Sequence, residues 1–381
     1  MTSESKHIII IGPAHPLRGG LASYNERLAR AFIAEGHQVQ LYTFSLQYPG
    51  FLFPGTTQFS SEPAPEDLNI HVAINSINPL NWLKIGNQLK KIKPDLIVVR
   101  YWLPFMGPCL GTILRLAKKN KRTKVVCIAD NVIPHEKRIG DKSFTNYFIK
   151  PVDGFITMSE KVLGDLKLFN KEKKSKFVAH PLYDNFGEKV SKQEARKYLA
   201  LPEDAKIVLF FGFIRHYKGL DILLNSISEL VNKNNANSNI KFLIAGEFYE
   251  DRKPYDEQIA QLGIQEHLIL KTDFIPDSQV KYYMCAADVV IQPYRNATQS
   301  GVTPLAYHFE IPMIVTNVGG LPALVPHGKV GLVAEPNPTD IADKIDAFFK
   351  TAPENFVSGI LEEKKKYSWE VMIHEILELS K

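Results

Sequence analysis

From one end to the other, short apolar runs alternate with longer amphipathic ones, and this restricts the possible folds of the chain more than anything else in it. His7–Ile11, Val39–Thr43, Leu96–Arg100, Lys124–Ala129 and Gly154–Thr157 are each of strand length. Most are too continuously apolar for a strand with one face in water. Segments of helical period stand between them, from about Leu21 to Glu35 with Gly36 as a stop, and over Phe105–Lys118. Ser159 stands where a cap for the next helix is needed. Strands of this kind separated by helices imply an α/β protein whose parallel sheet is covered on both faces.

The pattern breaks at His180-Pro181 and the polar stretch after it, then restarts with Lys206–Phe211, a helix over Gly219–Val231, and Ile240–Ala245. Leu268–Lys271, Asp288–Gln292 and Met313–Thr316 continue it. Two successive doubly wound domains, 1–182 and 183–360, fit this better than one large sheet. The last segment, Leu361–Lys381, reads as one helix with Trp369, Val371, Met372, Ile376 and Leu377 as its apolar set, and it fits either domain. Leu46–Pro65, rich in Pro, Gly and aromatics, is expected to be a long exposed loop. Asn232–Asn239 is expected to be a shorter one.

Several function classes fall away on composition. Cys109, Cys127 and Cys285 are scattered, with no CxxC pair and no Cys/His cluster, which argues against a disulfide framework or zinc site and for a reducing compartment. No run approaches the length of a membrane-spanning helix, and the apolar run at Ile8–Ile11 is too short for a signal peptide. A cytoplasmic protein is expected, either free or peripheral at the inner membrane face. Charge is unevenly spread. Residues 1–180 carry 25 Lys+Arg against 14 Asp+Glu, a net +11, and the remainder carry 21 against 27, a net −6. The dense run Lys118, Lys119, Lys121, Arg122 and Lys124 points either to an anionic membrane surface or acidic acceptor, or to no more than a solvated helix end. No basic stripe interleaved with aromatics argues for nucleic acid.

Four glycine-bearing turns sit where apolar strands end. The first, Gly12 to Gly20, carries Arg18-Gly19-Gly20 at a helix start, where open backbone and unpaired N–H groups suit an anion. The second, Phe211–Gly219, holds Gly212 and places Arg215 and Lys218 three apart. Such a pair neutralises a diphosphate, Arg through forked bonds and Lys as a point charge. The third is Pro293–Gly301, in which Ser300 is placed to cap a helix and Gly301 leaves backbone open. The fourth is Asn317-Val318-Gly319-Gly320. Doubly wound sheets bind ligands at such carboxyl ends.

With these residues in place the chain resembles glycosyltransferase family 4 of the group 1 superfamily, over nearly its whole length. The marks are Arg18-Gly19-Gly20, F-G-x-x-R-x-x-K-G at Phe211–Gly219, A-G-E at Ala245–Glu247, Ala286–Tyr294 and Pro312–Pro322. The resemblance implies a GT-B fold, two Rossmann-like domains facing across a cleft. It implies a nucleotide diphosphate sugar as donor, held mainly by the C-terminal domain, and a glycan or lipid-linked acceptor on the N-terminal one. Arg215 and Lys218 would hold the diphosphate, with Gln299, Ser300 and Gly301 adding backbone and hydroxyl contacts. Phe274 and Ile275 would meet the nucleobase, and Gly19 and Gly20 would approach the donor. Retention of anomeric configuration, with no metal and no other cofactor, is implied too, and the chain has no D-x-D pair. An acid–base group is expected after Lys124–Ala129, where His135 and Asp130 are the candidates. His15 and His180 are weaker ones, and His216 reads as a spacer.

One departure stands out. Many relatives carry two glutamates near the donor sugar and ribose, where this chain has Ala297 and Leu305. That leaves room for a non-catalytic nucleotide-sugar-binding scaffold or a nucleotide-sugar epimerase on the same fold. A dehydrogenase is the weakest rival, since no G-x-G-x-x-G follows a strand.

Overall fold

The computed structural model describes residues 4–50, 57–134, 139–233, 239–297, 300–351 and 354–381. The chain divides into two compact units, residues 1–181 with 368–381, and residues 182–367.

Unit 1 is built on seven parallel strands, β1 (His7–Ile11), β2 (Gln38–Leu46), β3 (Ile70–Asn75), β4 (Leu96–Tyr101), β5 (Lys124–Ala129), β6 (Gly154–Thr157) and β7 (Lys174–Phe177), in the order β3-β2-β1-β4-β5-β6-β7. Its helices are α1 (Gly20–Ala34), α2 (Pro79–Ile92), α3 (Gly107–Ala117), α4 (Asp141–Ile149) and α5 (Glu160–Phe169). β1 pairs with β2 on one side and β4 on the other, with Ile8 opposite Val39 and Leu96. Every residue of β4 is buried, the signature of a strand covered on both faces.

Unit 2 repeats the scheme. After α6 (Lys192–Leu199) come β8 (Lys206–Phe211), α7 (Leu220–Lys233), β9 (Ile240–Ala245), α8 (Lys253–Leu262), β10 (Leu268–Lys271), α9 (Val280–Ala286), β11 (Val289–Gln292), α10 (Val302–His308), β12 (Met313–Thr316), α11 (Leu321–Leu324), β13 (Gly331–Ala334), α12 (Pro338–Lys350) and α13 (Glu354–Glu363). The parallel order is β10-β9-β8-β11-β12-β13.

Several expectations need correction. Ser159 precedes α5, but its side chain makes no capping bond. The described part of Leu46–Pro65 beyond β2 is irregular with no buried residue, as an exposed loop should be, but it is tied down. Leu17 and Phe59 form an antiparallel bridge, and the Arg18 and Ser60 amides donate to the Gln58 and Pro16 carbonyls at 3.0 and 2.8 Å. The segment thus fastens the first glycine turn. The C-terminal segment is not one helix either. α13 ends in a 3-10 turn over Lys364–Lys366, and Ser368 starts a new helix, α14 (Trp369–Leu379), accepting the Val371 N–H at 3.3 Å. Val371 turns outward and Ile373 takes its place inside.

α14 belongs to unit 1, where Trp369 packs on Tyr24 of α1 with ring centroids 5.0 Å apart and Arg27 lies 5.0 Å over the indole. The buried Trp369 should therefore carry most of the docking. Trp369→Ala is expected to cost about 3 kcal/mol or more, and Val371→Ala less than about 0.5 kcal/mol, as read by urea denaturation of the full chain.

Candidate functional site

β8 is the strand of unit 2 at which the winding reverses. The chain goes from β8 to β9 on one side and later crosses to β11 on the other. Loops leaving β8 and β11 at their carboxyl ends therefore lie side by side.

The loop after β8 first follows the one after β9. Gly212 donates to the Ala245 carbonyl at 2.9 Å, and Ile214 to the Glu247 carbonyl at 2.8 Å. It then closes one 3-10 turn over His216–Lys218, in which the Lys218 amide donates to the Arg215 carbonyl at 2.8 Å. Gly219 ends the turn at φ 70°, where a Cβ would stand 2.0 Å from the Pro293 carbonyl oxygen. Only glycine lets these two loops touch. The Arg295 amide donates to the Tyr217 carbonyl at 2.8 Å, and the Arg295 guanidinium pairs with Asp221 on α7. Thr316, ending β12, donates its hydroxyl to the Tyr294 carbonyl at 2.6 Å.

This framework buries Lys218. Its side chain lies against Gly212, where a Cβ would be 2.9 Å from Nζ, and Nζ stands 5.8 Å from the centre of the Tyr294 ring. Among the described residues no carboxylate pairs with it. Burial, and secondarily the charge of Arg215, push its pKa down from 10.5 to about 7. Arg215 itself is exposed, with its guanidinium 5.2 Å from the centre of the Tyr249 ring, which stacks on Phe213 at 4.1 Å. An unpaired buried ammonium beside a second cation is costly for a folded chain, and an anion would relieve both.

The third turn differs in detail from expectation. Ser300 is buried and its hydroxyl donates to Gln292 Oε1 at 2.6 Å, while Gln292 donates to Thr303 at 3.1 Å. The Ser300 hydroxyl also accepts the Val302 N–H at 3.2 Å, and Gly301, not Ser300, is the residue capping α10. The serine therefore tethers the turn, and the exposed group it leaves to a ligand is the backbone at Gly301. Gln299 and His135 lie outside the described residues. Phe274 and Ile275 are half-buried between β10 and α9, on the same carboxyl edge. Ala297 and Leu305 are buried apolar positions.

Gly19, Gly20 and Asp130 belong to unit 1. Gly19 precedes α1 at φ 97° and Gly20 begins the helix. Asp130 does not suit an acid–base role. Its two carboxylate oxygens accept from Arg100 Nε and Nη2 at 2.5 and 2.6 Å, and both residues are buried. The Arg100 guanidinium lies 4.0 Å from the centre of the Tyr24 ring. His180 stacks edge-on against that ring, and burial lowers its pKa to about 3, so it stays neutral. His15 is tied to Glu26 through its amide and to the Glu62 carbonyl through its ring. The basic run is engaged in part. Lys118 pairs with Asp153, Arg122 with Asp95 at 2.6 Å, and Lys124 reaches the Lys381 carbonyl.

Sequence reasoning missed Arg100, Gln292 and Tyr294 as site-building residues. The signal was present for the first two: each is a polar residue at the end of a buried apolar strand, where it must find a partner.

The Lys218 shift has a signed consequence. Below pH 7 the ammonium is charged in both folded and unfolded chains and the full burial penalty applies; the penalty fades as pH rises toward 10.5. Lys218→Met is expected to raise the melting temperature at pH 6.5, with the gain shrinking steadily by pH 10. A gain independent of pH would contradict the assignment.

Comparison with known proteins places this geometry. The model of glycosyltransferase family 4 matches residues 18–180, and that of glycosyl transferases group 1 matches residues 191–358. The chain is 25% identical over 381 residues to an uncharacterized glycosyltransferase of Methanocaldococcus jannaschii, covering 95% of this chain and 94% of that one. It is 28% identical over 194 residues to the D-inositol 3-phosphate glycosyltransferase of Corynebacterium urealyticum, a stretch that is 49% of this chain and 45% of that protein. The Anabaena protein HepE in complex with UDP and glucose has the same fold, with a TM-score of 0.73 at 15% identity and coverage of 98% of each chain. With one model lying on each parallel-sheet unit, the chain belongs to the group 1 glycosyltransferases, with their GT-B fold.

Proposed function

We propose that the chain is a retaining, metal-independent hexosyltransferase that moves a sugar from a nucleotide diphosphate donor to a glycan or lipid-linked acceptor, in the assembly of a cell-surface polysaccharide or related glycan. The observation that carries this is the buried, unpaired Lys218 ammonium beside Arg215 at the switch point of unit 2. Two cations held there suit a pyrophosphate, whose leaving oxygen gains negative charge as the glycosidic bond breaks. They take the place a metal ion would fill. Gly212 and Gly301 offer backbone at the same edge, and Phe274 and Ile275 suit contact with the base. The bound complex of HepE with UDP and glucose supports a donor of this class on this fold.

In this scheme the phosphate departs from the face on which the acceptor hydroxyl attacks, and the leaving phosphate takes the hydroxyl proton. Both carboxylate oxygens of Asp130 are taken up by Arg100, so the scheme gives it no part in the proton transfer. Unit 1 supplies the acceptor surface, and its open backbone at Gly19 and Gly20 is given to the donor. A second reading, a scaffold that binds donor without transfer, draws on the buried apolar Ala297 and Leu305, where a carboxylate could otherwise hold sugar or ribose hydroxyls.

Two measurements separate these readings. A panel of nucleotide sugars should contain one that raises the melting temperature of the wild-type chain. With that donor and an acceptor extract, Lys218→Ala should lower turnover about a hundredfold, equivalent to about 2.7 kcal/mol. Donor stabilisation without transfer or hydrolysis would favour the scaffold. Binding above pH 7 should also take up a proton, because an anion restores the basicity of Lys218. Calorimetry in buffers of different ionisation enthalpy reads this directly, and Lys218→Met should abolish it.

A further inference from the structure

We propose that the outward face of α2 in unit 1 docks on an anionic lipid bilayer. α2 spends one stripe on the core, through Ile85, Gly86 and Leu89. Its other side is not the polar surface a water-facing helix normally shows. Ile77, just before the helix, and Leu80 and Leu83 within it are 49, 76 and 46% exposed. Leu80 and Leu83 stand three apart, so they are neighbours on the helix surface. Single exposed apolar residues are ordinary, but a group of them on one helix edge is not.

The charge on the same face is of one sign. Residues 77–93 contain Lys84, Lys90, Lys91 and Lys93 and no Asp or Glu. All four lysines are exposed, and among the described residues none has an ion-pair partner. The flanking carboxylates are already engaged: Asp67 with Arg30 and Asp95 with Arg122, each at 2.6 Å. Leu80, Lys84, Asn87 and Lys91 follow at helical spacing, and Lys84, Asn87, Gln88 and Lys91 with Ile92 line an open hollow. Apolar side chains at one end of an exposed helix and unpaired lysines along the rest match an interface in which leucines enter the acyl boundary and lysines meet lipid phosphates. This moves the membrane contact away from the Lys118–Lys124 run, where Lys118 and Arg122 are paired within the chain. The surface is independent of how unit 2 holds a donor.

The test is sedimentation of the full chain with vesicles of phosphatidylcholine alone and of phosphatidylcholine mixed with phosphatidylglycerol. Binding is expected to the anionic vesicles only, and to weaken as salt rises. Leu80→Ser with Leu83→Ser, and separately Lys84→Gln with Lys91→Gln, should each weaken it about tenfold or more, at unchanged melting temperature since all four side chains are exposed. Absence of binding to anionic vesicles, or binding that both double variants keep at the wild-type level, would overturn the proposal. So would a concentration-dependent dimer, without vesicle binding, that the leucine variants abolish, because the face would then belong to a second copy of the chain.

Discussion

A parallel strand covered on both faces can carry polar chemistry only at its ends. Along β1 and β8 the side chains must be apolar, and the backbone groups are spent on neighbouring strands. Turns, glycines and charges are pushed to the carboxyl edge, and where the strand order reverses they are not covered by a crossover. Arg215, Lys218, Ser300 and Gly301 all lie on loops leaving β8 and β11, so the placement of the site in unit 2 follows from the topology before any particular side chain is considered.

The two units resolve a buried charge in opposite ways. In unit 1, Arg100 stands near the end of β4, and the parallel register with β5 brings Asp130 beside it, the Asp130 amide donating to the Tyr101 carbonyl at 2.8 Å. The pair satisfies itself, with Tyr24 covering the guanidinium, and its chemistry is structural. In unit 2, Lys218 is buried with a second cation near it and, among the described residues, no carboxylate to meet it. Such an arrangement lowers stability, a cost often met at functional sites. It also explains why so many bonds hold the two loops together. Gly219 against Pro293, Arg295 to Asp221 and Tyr217, and Thr316 to Tyr294 keep the turn from relaxing and releasing the lysine into water.

Ala297 and Leu305 fit the same logic. Both are packed inside, Ala297 with its carbonyl close to the turn at Gly319 and Leu305 on the buried side of α10. A glutamate at either place would need its own partners. The turn at Ser300 is instead held by the uncharged Gln292–Ser300–Thr303 network. Neither position therefore offers a carboxylate, and the turn between them is held without one.

The sequence by itself determined the fold class, the division into two units and the glycine turns at the strand ends, because strands buried on both faces leave unbroken apolar runs and glycine turns mark their ends. It did not disclose β3, β7 or β13. All three are edge strands, and β7, with two lysines and little burial, has no apolar run to read. Nor could local pattern reveal that the C-terminal segment breaks at Ser368 and seats Trp369 on Tyr24, that Asp130 is taken by Arg100, or that Lys118 and Arg122 find carboxylates while, among the described residues, the lysines of α2 have no ion-pair partner. Each of these depends on which residues distant in sequence meet, and pairing across such distances is settled by packing and by the cost of burying charge. Lys218 shows the division most clearly. Its spacing from Arg215 is written in the chain, but only the closed turn against Pro293 and Gly212 takes its ammonium out of water.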